Sequence, residues 1–302
     1  MIKKIITVYS TYDKVPLHGS LCYDDNSTEG LVQIFHGMAE HRHRYEWFAQ
    51  SLVSAGYAVL TCDHRGHGDS AVIPGYFADK DGWNVNLQDL HQLTLEALNV
   101  IKLPLIIFGH SMGSLVARSY LKSYPSKVTK MILSVSPSDT PSLSAGIILA
   151  KLIKMIYGPK HPSKFLDKLS FGSFNKNIEN PKTAFDWLSV NDENVNKYID
   201  DKLCGYPFTA QGYLDLFAGI IDVYHTTNWK VNNPRLPIAF FSGEKDPCMI
   251  DESKLKQAVE HMQALGYQNV SYTLIPNLRH EILNEKERDE VLTLMLAFLK
   301  QD

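Results

Sequence analysis

A mostly parallel α/β sheet with helices on both faces is the fold class that the sequence predicts. Three observations carry it. Short apolar runs of the kind buried between neighbouring strands occur at 31–37, 57–63 and 104–109. Helical periodicity fills the intervals between them, so strand and helix alternate. From 137 to about 230 the alternation stops in favour of helical patterns, and it resumes at 236.

Each element follows in order. "KKIITVYS" and "PLHGSLCYD" read as a β-hairpin, and "LVQIFHG" as the first buried strand. A helix is expected over 43–55, with Tyr45, Phe48, Ala49 and Leu52 on one face and Gly56 closing it. "YAVLTCD" (57–63) is a strand leading into the Gly-rich turn "HRGHGDS". A helix over 84–101, the strand "LPLIIFG", a helix over 112–124 and the strand "VTKMILSVS" come next. Beyond the helical block, "LPIAFFSGEKDP" (236–247) and "VSYTLIP" are strands, separated by the helix "ESKLKQAVEHMQALG", and 285–300 is the last helix. The expected division is a core of 1–136 and 231–302 with a helical cap over 137–230.

Composition narrows the class of function. With 302 residues, 44% hydrophobic and 21% charged, the chain can bury a sizeable core. A net charge of −3 and no long basic run leave no footprint for nucleic acid. "MIKKIITVYSTYDK" lacks the pattern of a signal peptide, and no run reaches the length of a transmembrane helix. Cys22, Cys62, Cys204 and Cys248 are scattered, which suits free thiols in a reducing cytoplasm. No repeat is present, and nothing in the sequence signals an oligomeric state.

The chemistry concentrates in "PLIIFGHSMGSLVARSYL", residues 104–121. Gly109, Ser111 and Gly113 form G-x-S-x-G at a strand-to-helix junction. A turn that sharp strains the serine backbone and lifts its Oγ above the sheet, while larger neighbours at either glycine would collide. The following helix points its free N–H groups at the same place. A serine alone is a poor nucleophile, so a base and an orienting acid must accompany it. His280, just past the last expected strand in "NLRHEIL", is the candidate base. Two acids compete: Asp246, at the end of "AFFSGEKD", and Asp139, one strand earlier after "MILSVSPS". Spacing before the final helix–strand unit favours Asp246, and Glu244 reads as solvated. An oxyanion hole needs two backbone donors. Met112 N–H follows the nucleophile, and Met38, in "HGMAEH", is the best-placed second donor, with Gly37 permitting close approach.

Other features have plainer readings. His64 and His67 with Asp63 and Asp69 resemble metal ligands loosely but lack a further histidine cluster, so a structural turn is expected and no metal is assigned. His41 and His43 read as polar residues at a helix start, and Cys248 as a small buried residue. "SLSAGIILAKLIKMIYG" (142–158) is an apolar helix broken by Ser144, Lys151 and Lys154. It suits cap–core packing or, alternatively, an acyl-chain entrance or transient lipid-surface contact. Trp187, Tyr206, Phe208, Tyr213 and Phe217 suit a cap core or a pocket wall.

Together, "HGMAEHRHRYEWFA", "DHRGHGDS", "GHSMGS", "SGEKDP" and "LRHEIL" resemble the signature segments of α/β-hydrolases of the monoacylglycerol lipase and lysophospholipase group, whose relatives carry a serine aminopeptidase label. The resemblance spans the whole core in order. It implies an α/β-hydrolase fold, a triad of Ser111, Asp246 and His280, the Met38 and Met112 oxyanion pair, and no cofactor. It also implies a small acyl ester as substrate, of the monoacylglycerol or lysophospholipid kind. A peptidase on the same scaffold remains the alternative, with Asp192, Glu193, Asp200 and Asp201 as amine-binding candidates. A non-catalytic binding protein is the third reading, and it would ordinarily lack a triad member.

Overall fold

Successive residues of a β-strand face opposite sides of the sheet, and in this chain both sides are apolar. Leu31 and Phe35, Leu105 and Ile107, Met131 and Leu133, and Ile238 and Phe240 enter one buried cluster. Their neighbours Val32 and Ile34, Ile106 and Phe108, Ile132, and Ala239 and Phe241 enter another. Strands with two apolar faces need helices on both, which a parallel sheet supplies through its crossovers.

The computed structural model describes residues 1–139, 143–224 and 227–301. The strands are β1 (Ile2–Tyr9), β2 (Pro16–Tyr23), β3 (Leu31–Phe35), β4 (Ala58–Cys62), β5 (Leu105–His110), β6 (Val128–Ser134), β7 (Ile238–Gly243) and β8 (Val270–Ile275). They form one sheet in the order β1-β2-β4-β3-β5-β6-β7-β8. β1–β2 and β2–β4 pair antiparallel, and all later neighbours are parallel. α1 (Glu46–Ser54) and α9 (Arg288–Leu299) cover one face; α2 (Gly82–Val100), α3 (Met112–Ser123) and α8 (Glu252–Ala264) cover the other.

Between β6 and β7 the described residues form α4 (Leu143–Tyr157), α5 (Lys164–Phe171), α6 (Asp192–Asp200) and α7 (Ala210–Tyr224). Their only β pairing is an isolated bridge, Pro162 with Thr209. Among the described residues no helix is long and apolar enough to cross a membrane.

Two helix starts differ from expectation, and tertiary contacts explain both. The helix expected from 43 opens instead as a 3₁₀ turn, Arg42–Tyr45, before α1. There the Asp63 carboxylate at the end of β4 accepts the Arg42 backbone N–H at 2.9 Å and pins the turn. The last helix begins at Arg288, not 285. Glu285 accepts from Ser189 Oγ (2.7 Å) and the N–H groups of Val190 (2.9 Å) and Asn191 (3.1 Å), so it braces the inserted segment.

Because β3, β5, β7 and β8 run parallel, their carboxyl ends share one edge of the sheet. Ligands of such sheets bind in the crevice outside that edge. The loops leaving it carry Met38, Ser111, Asp246 and His280.

Candidate active site

Ser111 stands between β5 and α3 with φ 53° and ψ −119°, backbone angles that disfavour any residue but glycine. The turn closes too tightly for side chains at its flanks. A Cβ on Gly109 would overlap the Gly113 carbonyl, and one on Gly113 would overlap the Phe35 carbonyl. Ser111 N–H donates to Ser134 O at 2.9 Å, which ties the turn to β6.

Asp246 is fixed by its backbone N–H, which donates to Gly243 O at 3.1 Å. Its Oδ1 meets His280 Nδ1 at 2.8 Å and accepts the Cys248 N–H at 3.0 Å. The carboxylate assigns the proton to Nδ1, leaving Nε2 as an acceptor. Burial works to lower the His280 pKa, but Asp246 and Cys248 beside it carry it well above the usual histidine value. Trp187 packs against the imidazole at 4.9 Å between ring centroids, and His110 at 5.0 Å. Burial first, and His280 second, push His110 down to about 4, so it is neutral at pH 7. Ser111 and His280 line the same cavity, although no hydrogen bond joins their side chains. Such bonds often tighten only with substrate in place.

Asp139 is exposed after β6, where its charge acts on His261. Glu244 is exposed too, accepting the Asn277 N–H at 3.1 Å. Cys248 is half-buried beside Asp246 and His280, closer to the chemistry than a plain core position.

The loop after β3 is held from within. Gly37 N–H donates to Glu40 Oε1, which also accepts Tyr45 Oη at 2.8 Å. Glu40 Oε2 takes Arg44 Nη1 at 2.8 Å. Arg44 reaches on to Glu281, next to His280, and to Asn194 Oδ1 at 3.2 Å. The backbone N–H groups of Met38 and Met112 have no partner among the described residues.

Two cavities open on Ser111. The first, about 230 Å³, carries the polar side chains of Glu40, Asp167, Lys168, Tyr206, His280 and Glu281. The second, about 460 Å³, is walled by Met112, Leu115, Leu149, Leu166, Phe217 and Ile220. Met38, Ser111 and Phe171 line both. The aromatic residues of the insertion divide accordingly. Trp187 and Tyr206 face the first cavity and Phe217 the second, while Phe208 and Tyr213 are fully buried.

Among the described residues, two groups of side chains have the composition of a metal site: Asp246, Cys248 and His280, and His41, Asp201 and Cys204. In each the histidine already bonds the carboxylate at 2.8 Å, while Asp246 Oδ2 and His41 Nδ1 have no hydrogen-bond partner among the described residues. His64 and His67 pack with His36 in a buried cluster. His64 Nε2 is 3.0 Å from His36 O, and His67 Nδ1 is 2.9 Å from Arg65 O.

Sequence reasoning gave no role to Glu40, Arg44, Glu281 or Tyr198, all of which shape the first cavity or its walls. The available signal was the charge pattern of "HGMAEHRHRY", in which Glu40 and Arg44 stand four apart.

Residues 26–287 match the family described as serine aminopeptidase, S33. The chain belongs to this family. Similar chains include a monoacylglycerol lipase of Mycolicibacterium smegmatis, 26% identical over 276 residues that cover 89% of this chain and 87% of that one. A monoglyceride lipase homolog of Monkeypox virus is 30% identical over 268 residues, covering 87% and 85%. Among solved structures, a thermostable carboxyl esterase from Bacillus coagulans in complex with glycerol superposes with a TM-score of 0.91 at 24% identity, covering 99% and 98%. The shared backbone is the α/β-hydrolase fold, and as an S33 member this chain is a serine hydrolase.

Proposed function

We propose that this hydrolase cleaves single-chain acyl esters of uncharged polyols, monoacylglycerols being the type, with Ser111 as nucleophile. One observation carries the reading: an apolar cavity and a mixed one, in which charged side chains stand among aromatic ones, meet at the same serine. An acyl chain suits the apolar cavity and a hydroxylated alcohol the mixed one. Ser111 Oγ attacks the ester carbonyl while His280 Nε2 takes its proton, and Asp246 steadies the imidazolium. Met38 and Met112 N–H groups receive the oxyanion. The proton passes to the leaving alcohol, and water, activated by His280, releases the acid from the acyl-enzyme. Residues 137–230 serve as the cap over a core of 1–136 and 231–302.

Charge separates the candidate alcohols. Glu40, Asp167 and Glu281 line the mixed cavity, with Lys168 the one lysine or arginine among its described lining residues. Arg44 behind them is already engaged by Glu40 and Glu281. A phosphodiester headgroup would be repelled there, which disfavours lysophospholipids. Of the four acids named as amine-binding candidates, three are already paired. Asp192 pairs with Lys182, Glu193 with Lys197 at 2.8 Å, and Asp201 with His41 at 2.8 Å.

The outer face of the cap suits the surface on which such substrates reside. Ile148, Leu152, Met155 and Ile156 of α4 and Phe165 and Leu169 of α5 are exposed, flanked by exposed Lys151, Lys164 and Lys168. Apolar side chains rimmed by lysines fit an anionic lipid interface. Four free cysteines support a reducing, cytoplasmic setting.

A panel of monoacylglycerols, lysophosphatidylcholines and aminoacyl arylamides tests the reading, together with fluorophosphonate labelling. Monoacylglycerols should turn over fastest, and Ser111→Ala should abolish turnover and labelling. Faster arylamide cleavage, or labelling that persists in the variant, would overturn it.

A further inference from the structure

The loop that presents Met38 adopts a shape its own sequence resists. Ala39 stands at φ 51°, in the left-handed region that side-chain-bearing residues rarely enter. What keeps it there comes from the insertion. The Ala39 carbonyl accepts Tyr198 Oη at 3.1 Å and the Gly205 N–H at 2.9 Å. Tyr198 belongs to α6 and is itself fixed, with Phe185 at 5.2 Å between ring centroids and the Arg44 guanidinium 4.9 Å over its ring. Burial raises the Tyr198 pKa well above the usual tyrosine value, so the hydroxyl keeps the proton it donates.

The loop is thus pinned on both sides of Met38. Glu40 holds the Gly37 N–H before it, and Tyr198 with Gly205 holds the Ala39 carbonyl after it. Between them the Met38 N–H has no partner among the described residues and stays available as a donor. We infer that Tyr198 is a positioning residue for the oxyanion hole: it locks the strained Ala39 so that Met38 N–H faces Ser111. Seating the cap on the core and completing the hole then become one event. The inference rests on Met38 being an oxyanion donor, as proposed above.

Tyr198→Phe removes one oxygen and keeps the ring, so the test lies in the kinetics. An acyl trifluoromethyl ketone serves as the probe. Ser111 Oγ bonds to its carbonyl carbon, the carbonyl oxygen becomes an oxyanion, and the serine proton moves to His280. The variant should lose about tenfold in kcat, less than deletion of a donor itself costs, with KM for the acyl ester within about twofold. Ketone affinity should fall by the same factor as kcat. Ala39→Gly, added to Tyr198→Phe, should restore both, because glycine takes the left-handed conformation without help. An unchanged kcat and ketone affinity would overturn the inference, as would a rise in KM alone or a failure of Ala39→Gly to restore the loss. If the parent enzyme neither turned over acyl esters nor bound the ketone, the functional reading would fall as well, which separates the two failures.

Discussion

Arg44 donates both terminal nitrogens to the Glu281 carboxylate, at 2.5 and 2.7 Å, in the residue after His280. Both groups are buried, and burial works against the Glu281 charge; Arg44 overcomes it and draws the carboxyl down to about 2. Glu281 also accepts Asn194 Nδ2 at 2.6 Å, and its N–H donates to Leu188 O at 2.7 Å. The loop after β3, the loop carrying His280 and the insertion therefore meet at one ion pair.

Removing Glu281 leaves the Arg44 guanidinium in a low-dielectric site with Glu40 as its remaining carboxylate partner. Glu281→Ala should destabilise the protein by about 3–5 kcal/mol, read as a lowered melting temperature. Lys3→Ala, which breaks the exposed pair with Glu46, should change it little. Equal small shifts would show that the Arg44–Glu281 pair contributes no more than a surface contact.

The buried histidines predict how the protein meets acid. Burial brings His64 to about 4 and His67 to about 3, both below the ordinary value of 6.5. A histidine whose folded pKa is depressed contributes its full stability above the unfolded value and loses it as pH falls towards the folded one. Stability should therefore decline from about pH 6.5 downward, each of the two residues accounting for about 2 kcal/mol at pH 5. Glu281, also depressed, adds its loss only below its unfolded value of 4.5. Urea midpoints measured across this range check the slope, and a flat profile from pH 7 to pH 5 would contradict the buried neutral cluster.

The two candidate acids make opposite predictions. Asp246→Asn should lower turnover by about 10⁴ by favouring the wrong histidine tautomer, whereas Asp139→Asn should leave it near the parent value. A protonated His280 cannot accept the serine proton, and its pKa is raised. The acid limb of kcat/KM should accordingly lie above pH 6.5 in the parent and move to lower pH in Asp246→Asn. A reversed order of the two mutants would place the acid after β6.

The faces of α4 should be separable. Gly146 lines the apolar cavity, and a Cβ there would come within 3.3 Å of the Phe217 ring. Gly146→Val should narrow the cavity and shorten the preferred acyl chain, since each methylene excluded forfeits about 0.8 kcal/mol. Ile148 and Leu152 face outward, and replacing either by Asp should weaken binding to phosphatidylglycerol vesicles while sparing soluble short-chain esters. Equal effects of all three changes on soluble esters would mean that α4 is a single structural face.

How much was legible in advance follows the range of the forces involved. The alternation of strands and helices, the insertion after β6 and the serine turn are written in local periodicity and in glycines whose missing side chains a single turn demands. Gly109 and Gly113 announce the sharp turn because the collision they avoid lies within a few residues in sequence or on the adjoining strand. Asp246 and His280 were legible as strand-end residues, since a parallel sheet brings all such ends to one edge. The two late helix starts were not, because the deciding groups, Asp63 and the Val190 and Asn191 amides, come from elsewhere in the chain. The split of α4 into a cavity face and an outward face was equally hidden, for its residues are apolar on both. The ion pair of Arg44 with Glu281 spans 237 positions, and the bond from Tyr198 to Ala39 spans 159. Sequence by itself determined the class of fold and marked the candidate residues for the chemistry, because period and steric demand act locally. Only the tertiary structure decided which distant charges and hydroxyls hold those residues in place, because a buried polar group is satisfied by whatever the completed fold brings within bonding distance.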